Sequence, residues 1–178
     1  MKILITGGVK NGKSSYAEEL AIKLSKDNDR YYLATMVPYD DEDKNRIKKH
    51  QLSRKDKNFK TIEIQTDIDK VLDICDKNST FLLDSLTSLV LNEMFKNEGL
   101  EKEEIINKIK NDLKNLVENV TNIVIVSDYI FSDFQNFSDF TDLYLQIFGD
   151  VSCYLASICG VVIERIASRN NILKGELK

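Results

Sequence analysis

The first 25 residues combine three features that together restrict the fold. Residues 2–6 form a short apolar run typical of a buried strand, and the apolar positions after residue 16 repeat at helical spacing. Between them, Gly7 to Ser14 match the pattern G-x-x-x-x-G-K-[S/T]. A strand, a glycine-containing loop and a helix in this order are the setting that a phosphate-binding loop requires. The segment therefore predicts that a nucleoside triphosphate binds at the start of the first helix.

The residue types of this loop suit phosphate chemistry. Glycine permits backbone turns that a side chain would hinder, and successive N–H groups at a helix start attract anions. Lys13 has the length to reach the β- and γ-phosphates, and the Ser14 hydroxyl can bind Mg²⁺. The competing interpretation is a glycine turn that matches the pattern by chance. The predicted nucleotide-contacting residues of the loop are Gly7, Gly8, Val9, Lys10, Asn11, Gly12, Lys13 and Ser14.

The rest of the chain alternates apolar strands with amphipathic helices. Strands are expected at 31–36, 59–64, 80–84, 122–128 and 160–166, with a polar tail after the last, and helices at 67–75, 85–95, 101–120 and 138–158. Residues 40–55 have helical composition but little to bury, so we expect them on the surface or over the site. The alternation predicts a P-loop NTPase-like, three-layer α/β fold. It has a mostly parallel sheet with helices on both faces, in one domain over residues 1–178.

Composition argues against several classes of protein. A net charge of −4 offers no overall attraction to a nucleic acid. No apolar run approaches the length of a membrane span. The three cysteines lack the C-x-x-C spacing of zinc and redox sites, which favours small core residues in a reducing compartment. Because the first residues read directly as a strand, we expect no signal peptide and a cytoplasmic location.

Asp84 ends a predicted buried strand. Ligands in parallel sheets bind at the carboxyl ends of the strands, so we expect the loop, Thr35, Glu63 and Asp84 at one edge of the sheet. An acid in this position can hold Mg²⁺ or polarise an acceptor hydroxyl. The alternative role is the N-cap of the helix that follows, and the two roles are compatible.

His50 is the single histidine and lies in a basic stretch with Arg46, Lys48, Lys49 and Arg54. Such a stretch can attract phosphates, and a neutral imidazole there can act as a nucleophile. On spacing alone, the competing interpretation is an incidental surface residue.

Several segments, in this order, resemble the bifunctional adenosylcobinamide kinase/adenosylcobinamide-phosphate guanylyltransferase family of cobalamin biosynthesis. They are GGVKNGKSSYAEEL, LATM, RIKKHQLSR, FKTIEI and LLDSLTSLVLNEMF, within residues 1–95. The distinctive element is R-I-x-x-H, here Arg46 to His50, followed by aromatic-x-T-x-E, here Phe59 to Glu63.

The resemblance implies two reactions on one scaffold. A phosphoryl group passes from ATP or GTP to adenosylcobinamide, with Lys13 and Mg²⁺ neutralising charge. GMP then passes from GTP to the corrinoid phosphate through guanylylated His50. The resemblance also implies a homotrimer. The further positions that it matches to GTP contacts are Ala34, Thr35, Met36, Gln51, Leu52, Ser53, Arg54, Glu63 and Asp84.

The C-terminal half departs from the family pattern. Residues 128–131 read Asp-Tyr-Ile-Phe where the family has Asn-Glu-Val-Gly, and residues 149–153 lack the family's Gly-Arg-x-Asn-Gln. These changes alter the charge and the hydrogen-bonding groups of segments that the resemblance links to recognition of the corrinoid acceptor. Two other hypotheses stay open: a different small-molecule kinase that does not use His50, and a nucleotide-binding protein without turnover.

Overall fold

The computed structural model describes residues 1–130 and 138–177, and the side chains of Arg46, Lys49, His50 and Ser53 lie outside the description. The strands are β1 Lys2–Thr6, β2 Arg30–Ala34, β3 Phe59–Glu63, β4 Thr80–Asp84, β5 Asn122–Val126, β6 Val161–Ile166 and β7 Arg169–Lys174. The helices are α1 Lys13–Ser25, α2 Asp41–Arg54, α3 Leu86–Lys96, α4 Lys102–Asn119 and α5 Asp139–Ile158. Short 3₁₀ helices occupy Lys55–Lys57 and Ile68–Asp73.

The strands form one sheet in the order β3-β2-β4-β5-β1-β6-β7, and every neighbouring pair except β6–β7 is parallel. Alternate residues of the central strands pack on opposite faces. Leu4, Leu83 and Ile125 pack with the cluster that contains α3, α4 and α5, whereas Ile5 and Val126 pack with α1. This arrangement confirms the predicted α/β fold with helices on both faces.

Helices α2, α3, α4 and α5 begin where their sequences supply caps. The Ser85 side chain accepts a hydrogen bond from the Ser88 N–H at the start of α3, and Asp40 does the same for Asp43 at the start of α2. At the start of α4, Glu101 and Glu104 form a reciprocal capping box. No helix within residues 1–130 and 138–177 is long and apolar enough to cross a lipid bilayer.

The expected polar tail after residue 166 is wrong, because residues 169–174 form β7, antiparallel to β6. Ala167 and Ser168 make the turn with φ values of 47° and 63°. Two positive φ angles produce the hairpin twist that usually requires glycine or asparagine, so the sequence lacked the usual signal. Every residue of β7 is also exposed, which explains its polar composition.

Several other boundaries differ from expectation. Residues 67–75 form a 3₁₀ helix at Ile68–Asp73, and Asp67 does not cap it with its side chain. That carboxylate is instead bonded by Lys70, Lys96 and Lys108. The second and fifth strands end at residues 34 and 126, earlier than expected, so the residues that follow them form loops at the carboxyl edge of the sheet. Of the divergent residues 128–131, the last lies outside the described residues.

Candidate functional site

The loop between β1 and α1 has the geometry of an anion cradle. Gly7 has φ of +149°, and a Cβ there would overlap the Arg165 carbonyl oxygen. Gly12 has φ of +83° at the start of α1. Among the described residues, no side chain caps this helix and no acid lies in its first turn. The positive end of the helix is therefore available to an anion.

Lys13 is buried beneath this loop, with its side chain 5% exposed. Its ammonium group donates to the Gly8 carbonyl at 2.7 Å and lies 2.7 Å from the Asp128 carboxylate. The lysine that the loop pattern assigns to phosphate is thus already paired with an acid.

Asp128 lies on a loop that is fixed on both sides. The N–H of Ser127 donates to Ile5 and the N–H of Tyr129 donates to Gly7, each at 2.8 Å. The Asp128 N–H also donates to the Thr87 hydroxyl at 3.1 Å. These main-chain bonds hold the loop after β5 against the phosphate loop.

Tyr144 supports this corner from α5. Its hydroxyl donates to the Thr87 carbonyl at 3.2 Å. Burial, followed by the negative charge of Asp128, raises the pKa of the Tyr144 phenol. The phenol therefore keeps its proton and remains a hydrogen-bond donor.

Asp84 lies at the end of β4 and accepts a hydrogen bond from the Tyr32 hydroxyl at 2.8 Å. Burial, followed by the Asp84 charge, holds the pKa of Tyr32 well above its usual value. Next to it, the Thr35 hydroxyl donates to the Ser85 carbonyl and accepts from the Ser85 N–H, each at 2.8 Å. Asp84 is therefore an ionisable group held in place by two neighbouring strands.

Helix α2 is attached to the body of the protein at its C-terminal end. The Arg54 guanidinium lies 3.5 Å from the centroid of the Tyr32 ring and 3.8 Å from Glu18 of α1. Lys57 bonds the same Glu18 at 2.5 Å. Arg54 and Glu18 are 6% and 3% exposed, so this contact lies in the interior. It places α2 over the carboxyl edge of the sheet.

Two cavities meet at this edge. One, of about 740 Å³, borders the phosphate loop, and the other, of about 390 Å³, lies under α2. Ser14, Asp84, Ser85 and Asp128 line both of them. A ligand in one cavity would therefore contact the wall of the other.

The structure brings most of the predicted site residues to these cavities. Those that line the larger are Val9, Lys10, Asn11, Gly12, Lys13, Ser14 and Asp84, and those that line the smaller are Ser14, Ala34, Met36, Gln51, Arg54, Glu63 and Asp84.

The remaining predicted residues, which include Gly7 and Gly8 of the loop, do not line either cavity or are not described. Thr35 is fully buried beside Ser85, and Leu52 is 72% exposed. His50 belongs to α2, from which Lys44, Lys48 and Gln51 among others line the smaller cavity, but the side chains of His50 and Ser53 are not described.

Sequence reasoning missed Tyr32, Thr87 and Asp128. Asp128 had a usable signal, because it lies two residues beyond the end of a buried strand and Asp84 is the last residue of another. Tyr32 lies inside a strand and Thr87 inside a helix, so only the packing of the sheet shows that they belong to the site.

The residues that line both cavities, here called the shared wall, offer donor atoms that suit a hard cation. Ser14 supplies a hydroxyl and Asp84 a carboxylate, both of which are oxygen ligands of the type that Mg²⁺ prefers.

Comparison with known proteins decides the family. The family model described as cobinamide kinase / cobinamide phosphate guanyltransferase matches residues 3–169. The chain belongs to this family. As a member of the cobinamide kinase / guanyltransferase family with a P-loop NTPase-like fold, it has a nucleotide as its expected class of ligand.

One curated relative is the bifunctional adenosylcobalamin biosynthesis protein CobU of Escherichia coli K12. It is 35% identical over 97 residues, which are 53% of this chain and 51% of the relative. The match thus spans about half the length of that protein.

Solved structures with the same fold are more distant in sequence. One of them, an ATPase domain, has a TM-score of 0.56 at 13% identity, covering 97% of this chain and 76% of that one. A KaiC-like protein from Pyrococcus horikoshii has a TM-score of 0.54 at 13% identity, covering 98% and 78%. The flagellar accessory protein FlaH of Methanocaldococcus jannaschii has a TM-score of 0.53 at 14% identity, also covering 98% and 78%. These likenesses concern the fold alone.

Proposed function

We propose that this protein phosphorylates adenosylcobinamide and then transfers GMP from GTP to the resulting corrinoid phosphate. The observation that carries the proposal is the shared wall between the phosphate-loop cavity and the cavity under α2. One reaction uses the γ-phosphate at the loop, and the other uses a nucleophile supplied by α2. Membership of the cobinamide kinase / guanyltransferase family supports both.

In the kinase step, the acceptor hydroxyl attacks the γ-phosphorus and the bond to the β-phosphate oxygen breaks. We assign Lys13 and the N–H groups of the loop to bind the phosphates and stabilise the charge that develops on them. Ser14 and Asp84 are the residues that would hold Mg²⁺, which neutralises phosphate charge when bound. ATP and GTP both fit this role.

In the transfer step, an imidazole nitrogen of His50 attacks the α-phosphorus of GTP, and pyrophosphate leaves. An oxygen of the corrinoid phosphate then attacks the same phosphorus, which breaks the phosphorus–nitrogen bond. A covalent intermediate divides one difficult transfer into two easier ones. Of the α2 side chains that the structure describes, three basic ones border the cavity in which this exchange would occur: Lys44, Lys48 and Arg54.

Labelling with GTP tests this function. Protein incubated with α-³²P-GTP and denatured is expected to retain label that acid releases, whereas γ-³²P-GTP leaves none. His50→Ala should abolish the labelling while thin-layer chromatography still shows phosphorylated cobinamide. Binding of GTP without any protein labelling would contradict the transfer step. Phosphorylation of cobinamide in that case would support a pure kinase, and no turnover at all would contradict both activities.

A further inference from the structure

The ion pair between Lys13 and Asp128 has no part in the reactions proposed above. Lys13 Nζ lies 2.7 Å from Asp128 Oδ1, and the two side chains are 5% and 27% exposed. A loop lysine that binds the β- and γ-phosphates must exchange this partner for phosphate oxygens. The pair therefore competes with the nucleotide.

This contact follows from how the loop after β5 is built. Main-chain bonds on both sides of Asp128, from Ser127 to Ile5 and from Tyr129 to Gly7, fix its backbone beside the phosphate loop. Its own N–H is bonded to Thr87. The backbone of Asp128 consequently stays beside the phosphate loop when the nucleotide enters unless these bonds break.

The charge balance of the shared wall changes when a triphosphate binds. In the structure, Lys13 offsets the charge of Asp128. Once the ammonium group turns to the phosphates, the Asp84 and Asp128 carboxylates both face the cavities that the anion occupies. Two carboxylates that line the same partly buried cavities repel one another unless a cation lies between them.

We propose that Asp128 is a specificity-determining residue that makes the phosphate loop select cation-bound nucleoside triphosphate over cation-free nucleotide. The inference rests on the nucleotide binding proposed above and adds a residue to it. Without a divalent cation, Lys13 stays paired with Asp128 instead of binding the phosphates, and the Asp128 carboxylate repels the nucleotide. With the cation, the carboxylate has a second positive partner and releases the lysine.

The ratio of nucleotide affinities with and without Mg²⁺ tests this role. The probe is the GTP analogue with a methylene group between its α- and β-phosphates, titrated by calorimetry in the presence of Mg²⁺ or of EDTA. This analogue blocks guanylyl transfer, and no acceptor is present. Asp128→Asn is expected to bind the analogue about tenfold or more tightly in EDTA than the wild type does, and to reduce the Mg²⁺ ratio by the same factor.

The matched control is Glu42→Gln. Glu42 lines the same cavity, so this variant removes one negative charge from it, but the residue lies on α2 rather than beside Lys13. Its Mg²⁺ ratio should stay within about threefold of the wild type, because an exposed charge in the lining is screened by salt.

The possible outcomes separate the two proposals. An unchanged Mg²⁺ ratio in Asp128→Asn, or weaker binding in EDTA, overturns this inference while leaving nucleotide binding intact. No binding by any of the proteins with Mg²⁺ overturns the proposed function as well. Asp128→Ala serves as a second charge-removing variant, and circular dichroism checks that each variant is folded.

Discussion

At the scale of the residue, Gly7 has no room for a side chain. A Cβ would overlap the Arg165 carbonyl oxygen and lie 2.6 Å from Asn11 Nδ2, and the φ of +149° is itself unfavourable for other residues. We therefore expect Gly7→Ala to lower the free energy of unfolding by about 2 kcal/mol, measured by urea denaturation.

The adjacent Gly8 provides the control. A Cβ there meets no atom within 4 Å among those described, so Gly8→Ala should change the free energy of unfolding by less than about 0.5 kcal/mol. Equal losses of unfolding free energy in the two variants would show that the atoms around Gly7 shift to accommodate a methyl group. The steric restriction attributed to the Arg165 carbonyl would then be wrong.

Single residues of the candidate site differ in how much a local sequence pattern says about them. The loop from Gly7 to Ser14 has a recognisable spacing, since the chemistry of a phosphate loop depends on contiguous residues. Asp128 pairs with Lys13 across 115 positions of sequence, and no local pattern encodes such a contact. The nucleotide contact of Thr35 stays a prediction; in the structure its hydroxyl is bonded to Ser85 in the interior, which no local pattern indicated.

At the scale of the element, α2 is fixed through Glu18 of α1. This carboxylate, 3% exposed, lies between Arg54 at 3.8 Å and Lys57 at 2.5 Å. Glu18→Gln removes the negative partner of the buried Arg54 and of Lys57, whose side chain is 33% exposed. We expect the free energy of unfolding to fall by about 3 kcal/mol and amide hydrogen exchange in α2 to accelerate more than in α4.

Glu19→Gln is the matched control for this helix contact. Glu19 neighbours Glu18 on α1 but is exposed, so its substitution should change neither the stability nor the exchange of α2 by much. If exchange in α2 were the same in both variants, the attachment of α2 through Glu18 would be refuted.

The elements themselves were largely predictable, because buried strands and amphipathic helices have distinct periods. The exceptions have local causes. β7 is exposed throughout and its turn lacks glycine, so neither its composition nor its turn residues indicated a strand. The 3₁₀ helix at Ile68–Asp73 occurs where Asp67 bonds distant lysines instead of capping a helix.

At the scale of the whole molecule, Asp67 links three parts of the chain. Hydrogen bonds from Lys108 of α4, from Lys70 and from Lys96 of α3 hold the pKa of its carboxyl well below the usual range. Below about pH 4, the unfolded chain therefore binds a proton that the folded protein does not. Stability is fully present above that pH and should fall as the pH drops below it.

Thermal unfolding of the wild type and Asp67→Asn between pH 6 and pH 2.5 measures this contribution. The difference in melting temperature between them should shrink as the pH falls below about 4. Burial raises the pKa of Asp112, which also bonds Lys108, so the pH dependence of wild-type stability combines opposing contributions. The difference in melting temperature between the wild type and Asp67→Asn isolates the contribution of Asp67. Asp73→Asn, at an exposed position, is the control. A constant difference across the range would contradict the assignment.

The position of β1 in the sheet also determines when the site can form during synthesis. β1 lies between β5 and β6, and the phosphate loop contacts Arg165 of β6. These partners emerge more than 100 residues later. During translation the nascent chain must therefore carry its phosphate loop without these neighbouring strands until β6 has emerged, and the nucleotide site can be completed only then.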